Sequence, residues 1–212
     1  RKAGLRVTPP EQIHLVAGVL RGSVNAHLVS KLLKRNIPAV GLGLGDGGAK
    51  GACMCSRHAP GGHDLGSVGT ITSGQGTLWK SLLAQGYVPV LCSIGCDAHG
   101  DLLNVNADDA AVGVARILHA RGLVLLTDVA GICDASGAVI ETLGLDEIEP
   151  LIASGVIAGG MIPKAPAAAA AGEQIGAPTC ITAWQSLKNT AAQTNDLLCF
   201  GTSVVTSTMS TK

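Results

Sequence analysis

The sequence predicts an α/β fold, and three observations carry the prediction. Apolar runs of strand length alternate with stretches of helical spacing along the chain. The apolar content is 47% of 212 residues and comes from alanine, glycine and leucine, with aromatics at only 2%. Such a core must be aliphatic and closely packed, as where helices cover a parallel sheet. Glycine and proline fall between the runs, where an alternating fold needs its turns.

Taken in order, Thr8-Pro9-Pro10-Glu11 reads as a capping box with proline in the first helical turn. A helix is expected from there, with Ile13, Val16, Ala17 and Leu20 at helical spacing. A second helix is expected from about Ser23 to Lys34, carrying Val24, Leu28, Leu32 and Leu33 on one side and closed by Pro38. Ala39–Leu44 reads as a strand running into the turn Gly45-Asp46-Gly47-Gly48, and Leu65–Ile71 as the next strand. Thr77–Gln85 is a helix ended by Gly86, and Val88–Ile94 is a buried strand.

Asn106 opens an Ala-rich helix over Ala107–His119, with Asp108 and Asp109 in its first turn. Leu123–Thr127 is a strand, the stretch to Ile140 is rich in turns, and Leu145–Ala153 is a short helix stopped by Gly155. Pro163 and Pro166 are tolerated only in a first turn, which puts the next helix start near Met161, with its end towards Gln174 and Gly176. Pro178–Ala183 is a strand, Leu187–Leu197 a helix and Gly201–Val205 a last strand, followed by a frayed tail at 206–212.

Fifteen basic residues balance fifteen acidic ones, so the net charge attracts neither nucleic acid nor an anionic membrane. Apolar runs of about six to eight residues are far short of the roughly eighteen to twenty that a membrane span needs, and the amino end shows no signal-peptide pattern; the reading is cytoplasmic. Seven cysteines, an odd number, suit a reducing compartment better than a disulfide framework. Cys53, Cys55, His58 and His63 have loosely zinc-like spacing, yet they sit in a Gly-rich, turn-rich stretch without a second Cys pair that reads as a variable surface hairpin, and no metal site is assigned.

Three segments carry chemistry. Asn104-Val105-Asn106-Ala107-Asp108 joins a strand end to a helix N-terminus, where α/β folds bind ligands; the asparagines either donate to an acid substrate or are turn and cap residues. The Gly-rich loop from Gly155 to Gly160 leads into a helix with Lys164 near its start. A cation is disfavoured there by the helix dipole unless it faces a phosphate. Thr127-Asp128-Val129-Ala130-Gly131 leaves a strand sharply, so Asp128 is either a turn residue or a group at a nucleotide's edge.

Together these segments, with Gly4-Leu5-Arg6-Val7-Thr8 and Gly160-Met161-Ile162-Pro163-Lys164, resemble acetylglutamate kinase of the amino-acid kinase family. The likeness runs from Gly4 to about Val205. It implies a three-layer αβα sandwich with a mainly parallel central sheet, of amino-acid kinase type. It also implies a substrate-binding lobe over 1–95 and an ATP-binding lobe over 96–205. The implied reaction is transfer of the ATP γ-phosphoryl group to the side-chain carboxylate of N-acetyl-L-glutamate in arginine biosynthesis, by a homodimer.

Carried onto this sequence, the resemblance makes Arg6, Asn104 and Asn106 the binders of acetylglutamate. Lys164 stabilises the transferring phosphoryl and Asp108 orients the catalytic lysines. Asp128, Val129, Ala130, Gly131, Ile132 and Cys133, with Val156, Ile157 and Ala158, line the adenine and ribose of ATP, while Mg²⁺ is held mainly by the ATP phosphates. The family opens with a strand bearing a second lysine and a Gly-Gly loop. Neither precedes Arg1, so the expectation is a chain missing its N-terminal strand-loop-helix segment. Pro166 and the Ala167–Ala171 run also depart from the family helix. Competing readings are a related kinase for another carboxylate, carbamate or nucleotide, and a binding module without phosphoryl transfer.

Overall fold

The computed structural model describes residues 7–134, 136–157, 161–185 and 201–205. The expected helix Leu187–Leu197 and the tail at 206–212 lie outside them. The chain divides into two compact units, Arg1–Leu118 and His119–Lys212. The boundary expected after Gly95 falls inside the first unit, because β6 (Leu102–Val105) pairs with strands on both sides and α5 (Ala107–Leu118) packs on one of them.

In the first unit the expected capping box does not form. Pro10–Gln12 is a 3-10 turn with no side-chain cap, and the Thr8 hydroxyl is engaged elsewhere. The two expected helices are one helical run: α1 (Ile13–Ala17), a π-helical stretch at Gly18–Asn25 and α2 (Ala26–Leu33). Every junction residue keeps right-handed helical angles, so Gly22 does not break the run. Asn25 is buried in the π-helical stretch and donates through Nδ2 to the Val90 carbonyl at 2.8 Å. Ile13 and Ala17 are buried as expected, whereas Val24, Leu28 and Leu33 of the second stripe are exposed.

The unit continues with β1 (Ala39–Gly43), α3 (Gly48–Gly51), β2 (Cys53–Arg57), β3 (Val68–Gly74), α4 (Thr77–Ala84), β4 (Val88–Cys92) and β5 (Ile94–Cys96), then β6 and α5. β1 and β4 form a parallel pair, and a second sheet runs β2-β3-β6-β5 with β3 and β6 parallel. Trp79, Leu44, Leu103, Val105, Cys53 and Cys55 form its core, with Trp79 fully enclosed. Cys53 and Cys55 thus point inwards from a strand, which is why their spacing to His58 and His63 builds no metal site. Among the described residues, no group of three or more His, Cys, Asp or Glu could hold a metal ion.

The second unit holds β7 (Leu123–Thr127), β8 (Thr142–Gly144), α6 (Ile148–Ala153), α7 (Met161–Ile175), β9 (Thr179–Ala183) and β10 (Thr202–Val205). Its sheet runs β7-β9-β10-β8, with β7 parallel to β9, β8 parallel to β10, and β10 antiparallel to β9. The fold class is α/β as expected, with mixed pairing in both larger sheets. β9 is buried along its whole length, and α7 lays Ala165, Ala168 and Ala169 into the core beside Ile181 and Val204. Small residues let that helix approach the sheet closely, which accounts for its alanine run. Pro166 lies in the second turn, beyond the first turn where both prolines were expected, and removes the hydrogen bond to the Ile162 carbonyl. Among the described residues no helix is long and apolar enough to cross a membrane.

Candidate active site

In the first unit the site is built around β6. Asn104 stands between Val68 of β3 and Ile94 of β5 in register, and its amide nitrogen donates to Ser67 O at 2.8 Å. Its side-chain Nδ2 donates to Thr8 Oγ1 at 3.1 Å, across 96 residues of sequence. Thr8 is itself fixed: its N–H donates to Leu65 O and its carbonyl accepts from Ser67 N at 2.7 Å. Gly66 makes this passage possible, since it holds φ at +72° and a β-carbon there would lie 2.3 Å from Thr8 O. The end of the Gly-Leu-Arg-Val-Thr motif is therefore tied to the Asn-Val-Asn motif. Arg6 lies outside the described residues.

Asn104 retains one Nδ2 proton and its Oδ1 for a ligand. Asn106 is the N-cap of α5, as one of its two readings had it. Its Oδ1 accepts from Asp108 N at 2.9 Å and Asp109 N at 3.2 Å, and its carbonyl accepts from Ala110 N. The cap consumes the oxygen, so only the Nδ2 protons can serve a ligand. Asp108 is exposed in the first helical turn. Desolvation pushes the Asp109 carboxyl above its ordinary range, with His58 opposing and Asp108 reinforcing the shift.

In the second unit the parallel register of β7 and β9 ends at Thr127↔Ala183, where β7 delivers Thr127 and Asp128. Lys164, four residues into α7, donates through Nζ to Thr127 Oγ1. That hydroxyl donates to Asp128 Oδ1 at 2.9 Å, and Nζ stands 3.9 Å from the same oxygen. The Thr127 hydroxyl, the residue's own backbone and Lys164 together hold the Asp128 carboxyl below its ordinary range, although its side chain is 86% exposed. The structure thus brings Lys164 and Asp128 together. A Lys ammonium has three donors, so two remain after Thr127 is served. Thr127 was read only as part of a turn; the signal that could have marked it is a hydroxyl directly before the aspartate at a strand's carboxyl end.

Of the other expected nucleotide residues, Val129, Ala130 and Val156 reach the surface to some degree and Cys133 is part-buried. Ile132 and Ile157 are core residues with 1% exposure, so any contact they make with a ligand runs through their backbone. Ile132 N donates to Thr202 Oγ1 at 2.7 Å, which pins the turn after Gly131 to β10. Ala158 lies outside the described residues.

Lys164 at the start of α7 thus stands beside Asp128 at the carboxyl end of β7 in the second unit, and in the first Asn104 leads through Asn106 into α5. The amino acid kinase family matches residues 1–183, and the chain belongs to that family. Among curated proteins it is similar to the acetylglutamate kinase of Aeromonas salmonicida, with 44% identity over 185 residues, 87% of this chain and 69% of that protein. Among solved structures it is similar to smu.665 from Streptococcus mutans, with a TM-score of 0.73 and 29% identity over 97% of this chain and 76% of that one. It is also similar to N-acetylglutamate synthase from Neisseria gonorrhoeae complexed with coenzyme A and N-acetyl-glutamate. There the TM-score is 0.73 and the identity 25%, over 95% of this chain and 45% of that one.

Proposed function

We propose that the protein transfers the γ-phosphoryl group of ATP to the side-chain carboxylate of N-acetyl-L-glutamate, a step of arginine biosynthesis, in the cytoplasm and as a homodimer. The observation that carries the reading is the 44% identity to an acetylglutamate kinase over 87% of the chain. All the motifs described lie within the stretch that matches the family.

The nucleophile is already an anion, so no general base is needed. The protein must hold two anions and neutralise charge on the transferred group, which is positioning plus electrostatics. In the first unit Arg6 grips the α-carboxylate by a charge-assisted fork. Asn104 reads the acetamide with its remaining N–H and Oδ1, and Asn106 donates through Nδ2. Asp108 is assigned as the orienting carboxylate. In the second unit Lys164 offers two donors to the phosphoryl oxygens, while Thr127 and the charged Asp128 fix its ammonium beforehand. The turn Asp128–Cys133 and residues Val156–Ala158 line the adenine and ribose.

Among the described residues no acidic cluster could hold a metal ion by itself. Mg²⁺ accompanies the nucleotide, held mainly by the ATP phosphates. The test is ATP-dependent formation of an acyl phosphate, trapped by hydroxylamine as a hydroxamate. It is run on the 212-residue chain and on the polypeptide of its whole reading frame. Hydroxamate that requires both ATP and N-acetyl-L-glutamate supports the reading. ATP turnover with a different acid, or none with either polypeptide, overturns it.

A further inference from the structure

Thr8-Pro9-Pro10-Glu11 spells out a helix start, but the chain does not use it. Threonine is a residue type that caps helices, and here proline follows it and an acid stands three places on. In the structure Pro10–Gln12 begins with no side-chain cap, and the buried Thr8 gives its hydroxyl to Asn104 instead, accepting from Nδ2 at 3.1 Å across 96 residues of sequence. A hydroxyl of this kind ordinarily serves the nearest backbone donors. Departures from such local rules accompany functional sites, and Asn104 lies in the site described above.

The surroundings of Thr8 hold that hydroxyl still. Its backbone N–H donates to Leu65 O at 3.1 Å and its carbonyl accepts from Ser67 N at 2.7 Å, while Asn104 N donates to the carbonyl of the same Ser67 at 2.8 Å. Thr8 and Asn104 are thus anchored on one buried residue. Gly66, between the two anchors of Thr8, is fixed in turn: its N–H donates to Asp64 Oδ1 and its carbonyl accepts from Arg57 Nη1. Threonine is also stiff about χ1, so a fixed backbone fixes the hydroxyl. The Asn104 amide has two N–H groups and an oxygen; one N–H serves Thr8, and the other N–H and Oδ1 stay available. Asn106 differs, because its Oδ1 caps α5. Asn104 is therefore the asparagine of the pair that offers a ligand both a donor and an acceptor. A secondary amide presents the complement of that, whereas an ammonium only donates and a methylene does neither.

We propose that Thr8 is a positioning residue for substrate selection: its hydroxyl holds the Asn104 side chain in the plane that reads the acetamide of N-acetyl-L-glutamate, and so favours an N-acylated acid over one without the amide. The proposal rests on the function proposed above and adds to it the residue that orients its amide reader. Valine at this position keeps the shape of the side chain and leaves the inner end of the Asn104 amide without its partner. The amide then turns to find another, and the orientation suited to the acetamide is no longer set in advance.

The experiment measures, by calorimetry on the polypeptide of the whole reading frame, the binding of N-acetyl-L-glutamate, of ATP, and of glutarate, which keeps both carboxylates and lacks the acetamide. Thr8→Val weakens N-acetyl-L-glutamate by about three- to tenfold, the range of one hydrogen bond, and moves glutarate and ATP by less than about twofold. Thr8→Ser, which restores the hydroxyl, binds as the unaltered protein does. A double-mutant cycle separates positioning from a merely structural role: because Thr8 acts through Asn104, adding Thr8→Val to Asn104→Ala costs less than about twofold more. If the valine variant does not fold, Thr8→Ala takes its place with the same expectations. Unchanged affinity in Thr8→Val, losses that multiply in the double variant, or an equal loss for glutarate and ATP overturns the proposal and leaves the function standing. Folded, unaltered protein that does not bind N-acetyl-L-glutamate overturns the function, and the proposal with it.

Discussion

Replacing Thr127 by valine removes one hydroxyl and keeps the shape of the side chain. The hydroxyl accepts from Lys164 Nζ and donates to Asp128 Oδ1 at 2.9 Å. The backbone of Thr127 is unaffected: it stays paired with Ala183, and its carbonyl still accepts from Trp184 N at 3.2 Å. Valine also suits a strand. A hydrogen bond to a charged group contributes about 1.5–3 kcal/mol. Lys164 and Asp128 are 43% and 86% exposed, so water screens both and the lower end applies. A loss of about 1.5 kcal/mol in the placement of the ammonium corresponds to roughly a tenfold fall in rate. In the hydroxamate assay kcat should fall by that factor while the KM for acetylglutamate, whose proposed binders lie in the other unit, stays within about twofold. An unchanged kcat would refute the role given to Thr127. An equal loss of kcat together with a lowered melting temperature would assign the effect to folding.

Asn104→Ala removes the bond to Thr8 and the contacts offered to the substrate; the KM for acetylglutamate should rise about tenfold or more, and that for ATP should not move. Asn106→Ala removes the cap of α5 and should cost about 1 kcal/mol, read as a melting temperature lower by a few degrees, whereas Asn106→Asp should retain most of the stability. The Asp128 carboxyl is held below its ordinary range, so the stability it contributes is present above the unfolded value of about 3.9 and is lost as pH falls through the lower folded value. The difference in stability between the unaltered protein and Asp128→Asn should therefore be constant from pH 7 to about 5 and close only below about 4, followed by thermal melts across that range.

What the sequence revealed divides by the distance over which the deciding contact acts. Leu123–Thr127, Ala107–Leu118 and the helix from Met161 were legible because their spacing, caps and breakers are local. Thr8 misled because its hydroxyl, one turn from a ready helix start, is claimed by Asn104 from 96 residues away. The second helix expected from about Ser23 rested on its own apolar stripe, yet the run is continuous there, with Asn25 buried within it and bonded to the Val90 carbonyl 65 residues away. Cys53 and Cys55 looked like hairpin surface because cysteine carries no strand signal, and only the packing of β2 against Leu44, Trp79 and Leu103 shows them facing inwards. At the site, the places of Lys164 and Asp128 at the ends of elements were legible, whereas their contact through Thr127 and the burial of Ile132 and Ile157 depend on how β7, α7 and β10 pack and could not be read from a motif.

The central claim, that Lys164 faces the phosphoryl group passing from ATP to acetylglutamate, is tested most directly with γ-labelled ATP. The label should appear in a hydroxylamine-sensitive product when N-acetyl-L-glutamate is present. Under the same conditions Lys164→Met, which keeps much of the side chain's length and removes its charge, should lose transfer by at least a hundredfold, about 3 kcal/mol, while still binding acetylglutamate. Label transfer by Lys164→Met at a rate near that of the unaltered protein would contradict the account.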